Sequence, residues 1–244
     1  MVTLTLSLRP QILPESYRIS EVGLCMLSPS QVERLGFGPE MYATLPPMGA
    51  SPDALLWVFE ERWRLAACVE IKSLCPFQVA QASQRRRRKG SERFGLGDRL
   101  SCWKVTPQIV AQCQLQMLCT DTESSVIAAR SLSGIKIFKM RRDDDYLRAL
   151  LRLSSQLQGT AQLGRADALS RVTGWRTEGG NGIGIRSYGE FIRATRAIAA
   201  CVNRGEWRKG DPHPALPSFV ARSWSDNAAA RPYLSPKPEC LFLD

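Results

Sequence analysis

The sequence SPDALLWVFEERWRLAACVEIKS (residues 51–73) contains two apolar runs joined by a short charged segment, EER. The two runs are ALLWVF (54–59) and WRLAACVEIK (63–72). Apolar runs of this length that are separated by a turn predict the two strands of a β-hairpin. In such a hairpin Asp53, just before the first strand, lies beside Glu70, near the end of the second strand.

The charged residues of this hairpin indicate a particular chemistry. Glu70 and Lys72 are two residues apart and therefore point to the same face of their strand. A buried carboxylate is costly unless it is paired or metal-bound, and a divalent cation relieves the repulsion between Asp53 and Glu70. A metal held there would polarise a phosphate, and Lys72 would supply positive charge as negative charge develops. This predicts phosphodiester hydrolysis; the alternative is a turn aspartate and a surface Glu–Lys pair.

The metal-ligand inventory favours oxygen ligands. The chain has one histidine, His213, and its eight cysteines include no Cys-x-x-Cys pair. Any metal should therefore be Mg²⁺ or Mn²⁺ rather than zinc. Most of the cysteines lie in apolar runs, as small buried residues do, and this predicts an intracellular, reducing compartment.

The sequence does not determine the compartment within the cell. The first 14 residues contain Arg9 and no acidic residue, which is a weak indication of an organelle-targeting segment. No apolar run is long enough to span a membrane, so no membrane partner is expected.

The rest of the chain predicts an α/β fold. Further strands are predicted at 21–27, 125–129 and 135–140. Helices are predicted at 107–119, 143–157 and 187–203. Residues 28–48 are predicted to be mostly loop. The predicted organisation is an irregular segment (1–20), a core with a mixed β-sheet flanked by helices (21–160), and an extension with one helix and a disordered, proline-rich tail (161–244).

The charge balance favours an anionic partner. The formal net charge is +10 and the pI is about 9.5, values for which nucleic acid is the commonest partner. The run QRRRRKG (84–90) follows Lys72, and its cations are Arg85, Arg86, Arg87, Arg88 and Lys89. Beside a phosphate-cleaving site they favour contacts with a DNA backbone. A nuclear-localisation-like run and a solvated loop are the alternatives.

Three motifs in order carry a family resemblance: GASPDAL (49–55), VEIKSLCPF (69–77) and AQCQLQMLCT (111–120). Together they resemble the signature of the PD-(D/E)xK nucleases, and more narrowly of the YqaJ-type viral recombinase, lambda-exonuclease-like family. That pattern runs roughly Gly-x-Ser-Pro-Asp-Gly, then Val-Glu-Ile-Lys-Cys-Pro, then a helix with Gln-x-Gln. The resemblance spans about residues 21–157 and implies a restriction-endonuclease-like core.

The resemblance assigns roles by position. It implies that Asp53 and Glu70 are metal-binding carboxylates and that the Ile71 carbonyl is a further ligand. Lys72 matches the catalytic lysine, and Gln112 matches the helix glutamine that braces the active site. The implied activity is that of a Mg²⁺- or Mn²⁺-dependent DNA nuclease, an exonuclease of recombination or repair. DNA is the expected partner, and a homo-oligomer and a single-strand annealing protein are further expectations.

The glutamines of the third motif allow two interpretations. Gln112 can brace the site, while Gln114, two residues on, points elsewhere around the helix. Alternatively, Gln112, Gln114 and Gln116 form only a polar surface.

Two features depart from the family pattern. Ala54 stands where the family usually has glycine. The family also carries an acidic residue on a helix before the first strand, whereas here about 20 residues precede that strand and Glu15 lies beside Pro14. A catalytically weak or inactive DNA-binding relative is therefore the second hypothesis. A basic scaffold or RNA-binding protein without nuclease chemistry is the third.

Overall fold

The computed structural model describes residues 17–59, 61–74, 77–79, 94–96, 100, 102–131, 134–160, 163–176, 184–205 and 207–208. The strands are β1 (Tyr17–Ser20), β2 (Cys25–Met26), β3 (Gly49–Ala50), β4 (Ala54–Phe59), β5 (Trp63–Ser73), β6 (Phe77–Val79), β7 (Phe94–Leu96), β8 (Ser124–Arg130), β9 (Ile135–Arg141) and β10 (Trp207–Arg208). The helices are α1 (Pro29–Arg34), α2 (Pro39–Thr44), α3 (Pro107–Thr120), α4 (Asp144–Gln158), α5 (Arg165–Thr173) and α6 (Tyr188–Arg204).

One mixed sheet organises these elements. Its strand order is β1-β4-β5-β8-β9-β10, of which β10 contributes only two residues. The β5–β8 pair is parallel, and the other neighbours are antiparallel. A parallel pair needs a crossover connection, and here the crossover contains α3. The predicted α/β class with a mixed, helix-flanked sheet is confirmed, while the restriction-endonuclease-like assignment stays a prediction.

The hairpin predicted from residues 51–73 is β4 and β5, paired antiparallel with Ala54 opposite Val69. Even-numbered residues of β4 are buried in one core, and Leu55 packs against the core on the other face. The pairing shifts after Leu56, so that Trp57 lies opposite Leu65 and β5 carries one extra residue. This is a β-bulge, which bends a strand and changes the face to which later side chains point.

Three helices cover the sheet face that carries Glu70. The core between them and the sheet includes Cys68 of β5, Ile127 of β8 and Phe138 of β9, packed against residues of α3, α4 and α6. The helix predicted at 187–203 is confirmed as α6, and its Phe191 and Ile198 side chains are buried in this core. Cys113 and Met117 of α3 are buried in the same core as Cys68, so this helix lies over the strand that carries Glu70.

The N-terminal strand prediction is wrong in its bounds. The sheet strand is β1, inside the segment predicted to be irregular, and only two residues of the predicted strand 21–27 are extended, as β2. β1 alternates, with Tyr17 and Ile19 packed against the core and Arg18 on the opposite face. Its pairing with β4 and a hydrogen bond from Trp57 Nε1 to Ser20 Oγ (3.0 Å) fix it there. Prolines at positions 10 and 14 predict an irregular segment because they interrupt regular structure, but both precede the strand.

The loop prediction for residues 28–48 is also wrong, because α1 and α2 lie there. Ser28 caps α1: its side chain accepts from the Gln31 N–H, and the Gln31 side chain accepts from the Ser28 N–H. Pro29 and Pro39 each begin a helix, where a missing N–H costs nothing. The short helix α5 and the β6–β7 pair were not predicted either. Residues 84–90 and the tail from residue 209 lie outside the described residues.

No helix in the described part of the chain has the length and apolar character needed to cross a bilayer.

Candidate active site

Asp53 is fixed to β5 by two hydrogen bonds. Its backbone N–H donates to the Val69 carbonyl (3.0 Å), and its side-chain Oδ2 accepts from the Ile71 N–H (2.6 Å). Asp53 is exposed, and its other oxygen, Oδ1, has no hydrogen-bond partner among the described residues. The hairpin therefore places an accessible carboxylate against the backbone between Glu70 and Lys72, as the sequence predicted.

Glu70 lies on the helix-covered face of β5 and is only 4% exposed. Three side-chain donors reach its carboxylate. Lys72 Nζ (2.5 Å) and Gln112 Nε2 (2.8 Å) donate to Oε1, and Gln116 Nε2 (2.6 Å) donates to Oε2. Burial of an ionised carboxylate is tolerated because this network supplies both a counter-charge and hydrogen bonds.

Helix α3 provides both glutamines because Gln112 and Gln116 are four residues apart and so lie on one side of the helix. Each amide must turn Nε2 toward Glu70, since an amide oxygen there would repel the carboxylate. Gln112 Oε1 in turn accepts from Lys72 Nζ (3.3 Å). The structure therefore brings Glu70, Lys72 and Gln112 into one network, beside the backbone to which Asp53 is bonded.

Gln116 is a site residue that the sequence analysis did not assign. It is fully buried, and its Oε1 has no hydrogen-bond partner. Leaving a buried acceptor unpaired costs about 1–3 kcal/mol, so this oxygen is a group that a water or a cation would satisfy. The four-residue spacing from Gln112 was the signal that could have identified it.

Gln114 points away from the site, as predicted. Its Nε2 donates to the Arg141 carbonyl (2.8 Å), and its Oε1 accepts from the Asp143 N–H (3.0 Å). It thus joins α3 to the end of β9 and to the N-terminus of α4. Because Gln114 and Gln116 are both fully buried, the polar-surface alternative is wrong for these two residues.

Lys72 lies on the solvent-exposed side of the network. Its side chain is 31% exposed, compared with 5% for that of Glu70. A lysine on a flexible four-carbon stem can turn from Glu70 toward a bound anion without movement of the backbone.

Two cysteines near the site are inert. Burial raises the pKa of the Cys68 thiol to about 11 and raises the pKa of Cys113 well above its usual range. Both thiols are therefore protonated at neutral pH and act as small apolar groups, not as nucleophiles or metal ligands. This agrees with the buried cysteines expected from the apolar runs.

The donor set determines which metal the site suits. Among the described residues, no group of three or more His, Cys, Asp or Glu side chains lies close enough to hold a metal ion. The oxygen donors at the site are the carboxylates of Asp53 and Glu70. The Ile71 carbonyl joins them, because the N–H and C=O of a strand residue point to the same side and the Ile71 N–H faces Asp53. An all-oxygen set fits Mg²⁺ or Mn²⁺, which keep several waters in their coordination sphere.

The predicted nucleic-acid contacts Arg85, Arg86, Arg87, Arg88 and Lys89 lie outside the described residues. The strands on either side of them in the sequence, β6 and β7, pair antiparallel.

Comparison with known proteins gives no relative from which a role could be transferred: no family model, no curated protein and no solved structure matches the chain.

Proposed function

We propose that this protein is a metal-dependent DNA nuclease that removes nucleotides from DNA ends, an exonuclease of recombination or repair. The observation that carries the proposal is the network at the end of β5, where Glu70 binds both Lys72 and Gln112 while Asp53 is bonded to the adjacent Ile71 N–H. Residues from three separate motifs contribute to it, and an unrelated ion pair gives no reason for that convergence.

The residues divide the chemistry between them. Asp53, Glu70 and the Ile71 carbonyl would hold Mg²⁺ or Mn²⁺, which when bound supplies Lewis-acid polarisation of the phosphate and a more acidic water. Lys72 would orient the attacking water and stabilise the negative charge that develops on the phosphoryl oxygens. Gln112 and Gln116 would hold the Glu70 carboxylate in one orientation, which keeps the ligand in place before the substrate arrives.

The location of the site supports access by a large substrate. Glu70 and Lys72 lie near the carboxyl end of β5, which pairs parallel with β8. In open α/β sheets, ligands bind outside the carboxyl ends of parallel strands. Asp53 is exposed there, so a phosphodiester does not need to enter the core to reach it.

A second candidate is a DNA-binding relative with weak or no catalysis. It is favoured by the hydrogen bonding of Glu70, whose two oxygens already accept from three side-chain donors. It is also favoured by the small number of carboxylates, since among the described residues only Asp53 and Glu70 contribute one to the site. In this alternative, Lys72 neutralises Glu70 permanently and no cation is recruited.

Digestion of end-labelled linear duplex DNA separates the two candidates. The proposed function predicts Mg²⁺-dependent release of mononucleotides that stops with EDTA. Lys72→Ala should lose this activity, whereas Lys104→Ala, at an exposed lysine outside the network, should retain it. A folded protein that binds DNA without cutting it in either Mg²⁺ or Mn²⁺ would establish the second candidate instead.

A further inference from the structure

A cluster of exposed rings lies at the far end of the β4–β5 hairpin. Phe59 is 49% and Trp63 43% exposed, and their ring centroids are 5.5 Å apart in an edge-to-face arrangement. The Arg18 guanidinium carbon lies 5.2 Å from the Trp57 ring centroid and 5.3 Å from the Trp63 ring centroid. We call these four residues, Arg18, Trp57, Phe59 and Trp63, the aromatic platform.

The bulge in β5 places Trp63 in this group. Residues directly opposite each other in an antiparallel pair share a face, so Trp57 shares its face with Arg18, and Phe59 shares its face with Trp63. With an unbroken register Phe59 would lie opposite a neighbour of Trp63, and the Trp63 indole would point to the other face. The extra residue, Ala66, is accommodated because its carbonyl accepts from Ser124 Oγ (3.0 Å).

The platform shares a sheet face with the candidate active site. Leu55 lies opposite Cys68, and Cys68 and Glu70 are two residues apart on β5. Trp57 and Phe59 continue the Leu55 face along β4. At about 3.4 Å per residue, they lie roughly 14–20 Å from Asp53. Asp53 is exposed at the start of β4, so a single extended chain can contact both the platform and the Asp53 carboxylate.

The chemistry of the platform selects its ligand. Exposed rings, with a guanidinium close to two indoles, match the flat faces of nucleobases and the anionic backbone beside them. Arg18 is exposed and makes no ion pair with the described carboxylates, so its charge is available to a phosphate. The net charge of +10 favours the same polyanion. Bases within a duplex are already stacked on each other, so only an unpaired strand can use these rings.

We propose that the aromatic platform binds single-stranded nucleic acid by base stacking and guides that strand along β4 toward the exposed Asp53. The guidance rests on the proposed nuclease function, whereas the binding does not. Arg18 spaces the two indoles, and the exposed rings of Phe59 and Trp63 accept the bases.

Fluorescence anisotropy with the full chain tests the binding separately from catalysis. The probe is a fluorescein-labelled oligothymidine of about 20 nucleotides, longer than the usual site of one small domain, at fixed salt and in EDTA so that nothing is cut. Phe59→Ala and Trp63→Ala should each weaken binding about fivefold to hundredfold. Trp63→Phe, which keeps a ring, should retain most of the affinity. Leu169→Ala, at an exposed apolar residue of α5, is the control and should bind as the parent does.

Three outcomes would overturn the platform proposal. The first is a parent protein that binds the oligothymidine no better than a blunt duplex. The second is unchanged affinity in a folded Phe59→Ala, Trp63→Ala double variant, with folding checked by circular dichroism. The third is a parent dimer in sedimentation velocity that dissociates on Trp63→Ala while DNA affinity stays the same, since the rings then form a protein interface. A parent that binds the strand through the rings but never cuts DNA refutes the nuclease function and the guidance, and leaves the binding established.

Discussion

The bond between Gln116 and Glu70 should be measurable as a coupling free energy. Gln116→Leu removes a donor 2.6 Å from a carboxylate that is 4% exposed, and hydrogen bonds to charged groups contribute about 1.5–3 kcal/mol. The same change also removes the unpaired Oε1, which recovers about 1–3 kcal/mol. The single variant can therefore show almost no net change in stability even though the bond is strong.

A double-mutant cycle with Glu70→Leu isolates the bond. The Oε1 contribution occurs with and without Glu70 and therefore cancels. The double variant should be less destabilised than the sum of the single variants by about 1.5–3 kcal/mol. Unfolding in urea, with the free energy extrapolated to water, gives all four values.

Gln114→Leu is the matched control for this cycle. Gln114 is on the same helix and equally buried, but it bonds to the Arg141 carbonyl and the Asp143 N–H instead of Glu70. Its coupling to Glu70 should stay within about 0.5 kcal/mol. Equal coupling for the two glutamines would refute the assignment of Gln116 to the site.

Three further predictions concern other parts of the chain. Replacing all four arginines at 85–88 by alanine should weaken DNA binding. The slope of log affinity against log salt concentration, measured by anisotropy, should fall by about one unit for each lost phosphate contact. An unchanged slope would assign the run to localisation or to solvated surface. Asn203→Ala should destabilise the protein by about 1–3 kcal/mol in urea unfolding, because the Asn203 amide both accepts from the Val105 N–H (2.8 Å) and donates to the Val105 carbonyl (2.9 Å). Burial raises the pKa of Asp143 despite the hydrogen bond that its carboxylate accepts from the Tyr146 N–H, so the folded protein loses stability as pH rises above the usual aspartate range. Asp143→Asn should remove that pH dependence and raise the melting temperature at pH 7. A lower melting temperature at pH 7 would contradict this.

Local patterns predicted the centre of the fold well. The hairpin around Asp53 and Glu70 follows from two apolar runs and a turn, and the helix after Pro107 follows from a proline at a first helical turn. The same proline rule applied at Pro29 and Pro39 would have predicted α1 and α2, but the density of prolines and glycines indicated a loop. These errors came from competing local signals and not from long-range packing.

Other features depend on contacts between residues that are far apart in the sequence, which no short stretch of sequence reveals. The strand Tyr17–Ser20 is fixed by pairing with β4, more than 30 residues away. The β5 bulge, and with it the face of Trp63, depends on register between two strands, which the apolar pattern does not define. At the site, Asp53, Glu70, Lys72 and Gln112 were assigned from the sequence, whereas the role of Gln116 required the placement of α3 over β5.

The most direct test of the central claim compares metal rescue in two variants of the site. Asp53→Ala and Lys72→Ala should each lower the rate of duplex DNA digestion, and loss of one transition-state contact typically costs about 10²–10³ in rate. Both should retain most of their DNA affinity, because backbone binding is spread over many cations. Excess Mn²⁺ should restore part of the activity of Asp53→Ala, which lacks a metal ligand, and none of the activity of Lys72→Ala. An active parent whose Lys72→Ala variant cuts equally well, or regains activity with Mn²⁺, would contradict the assigned mechanism.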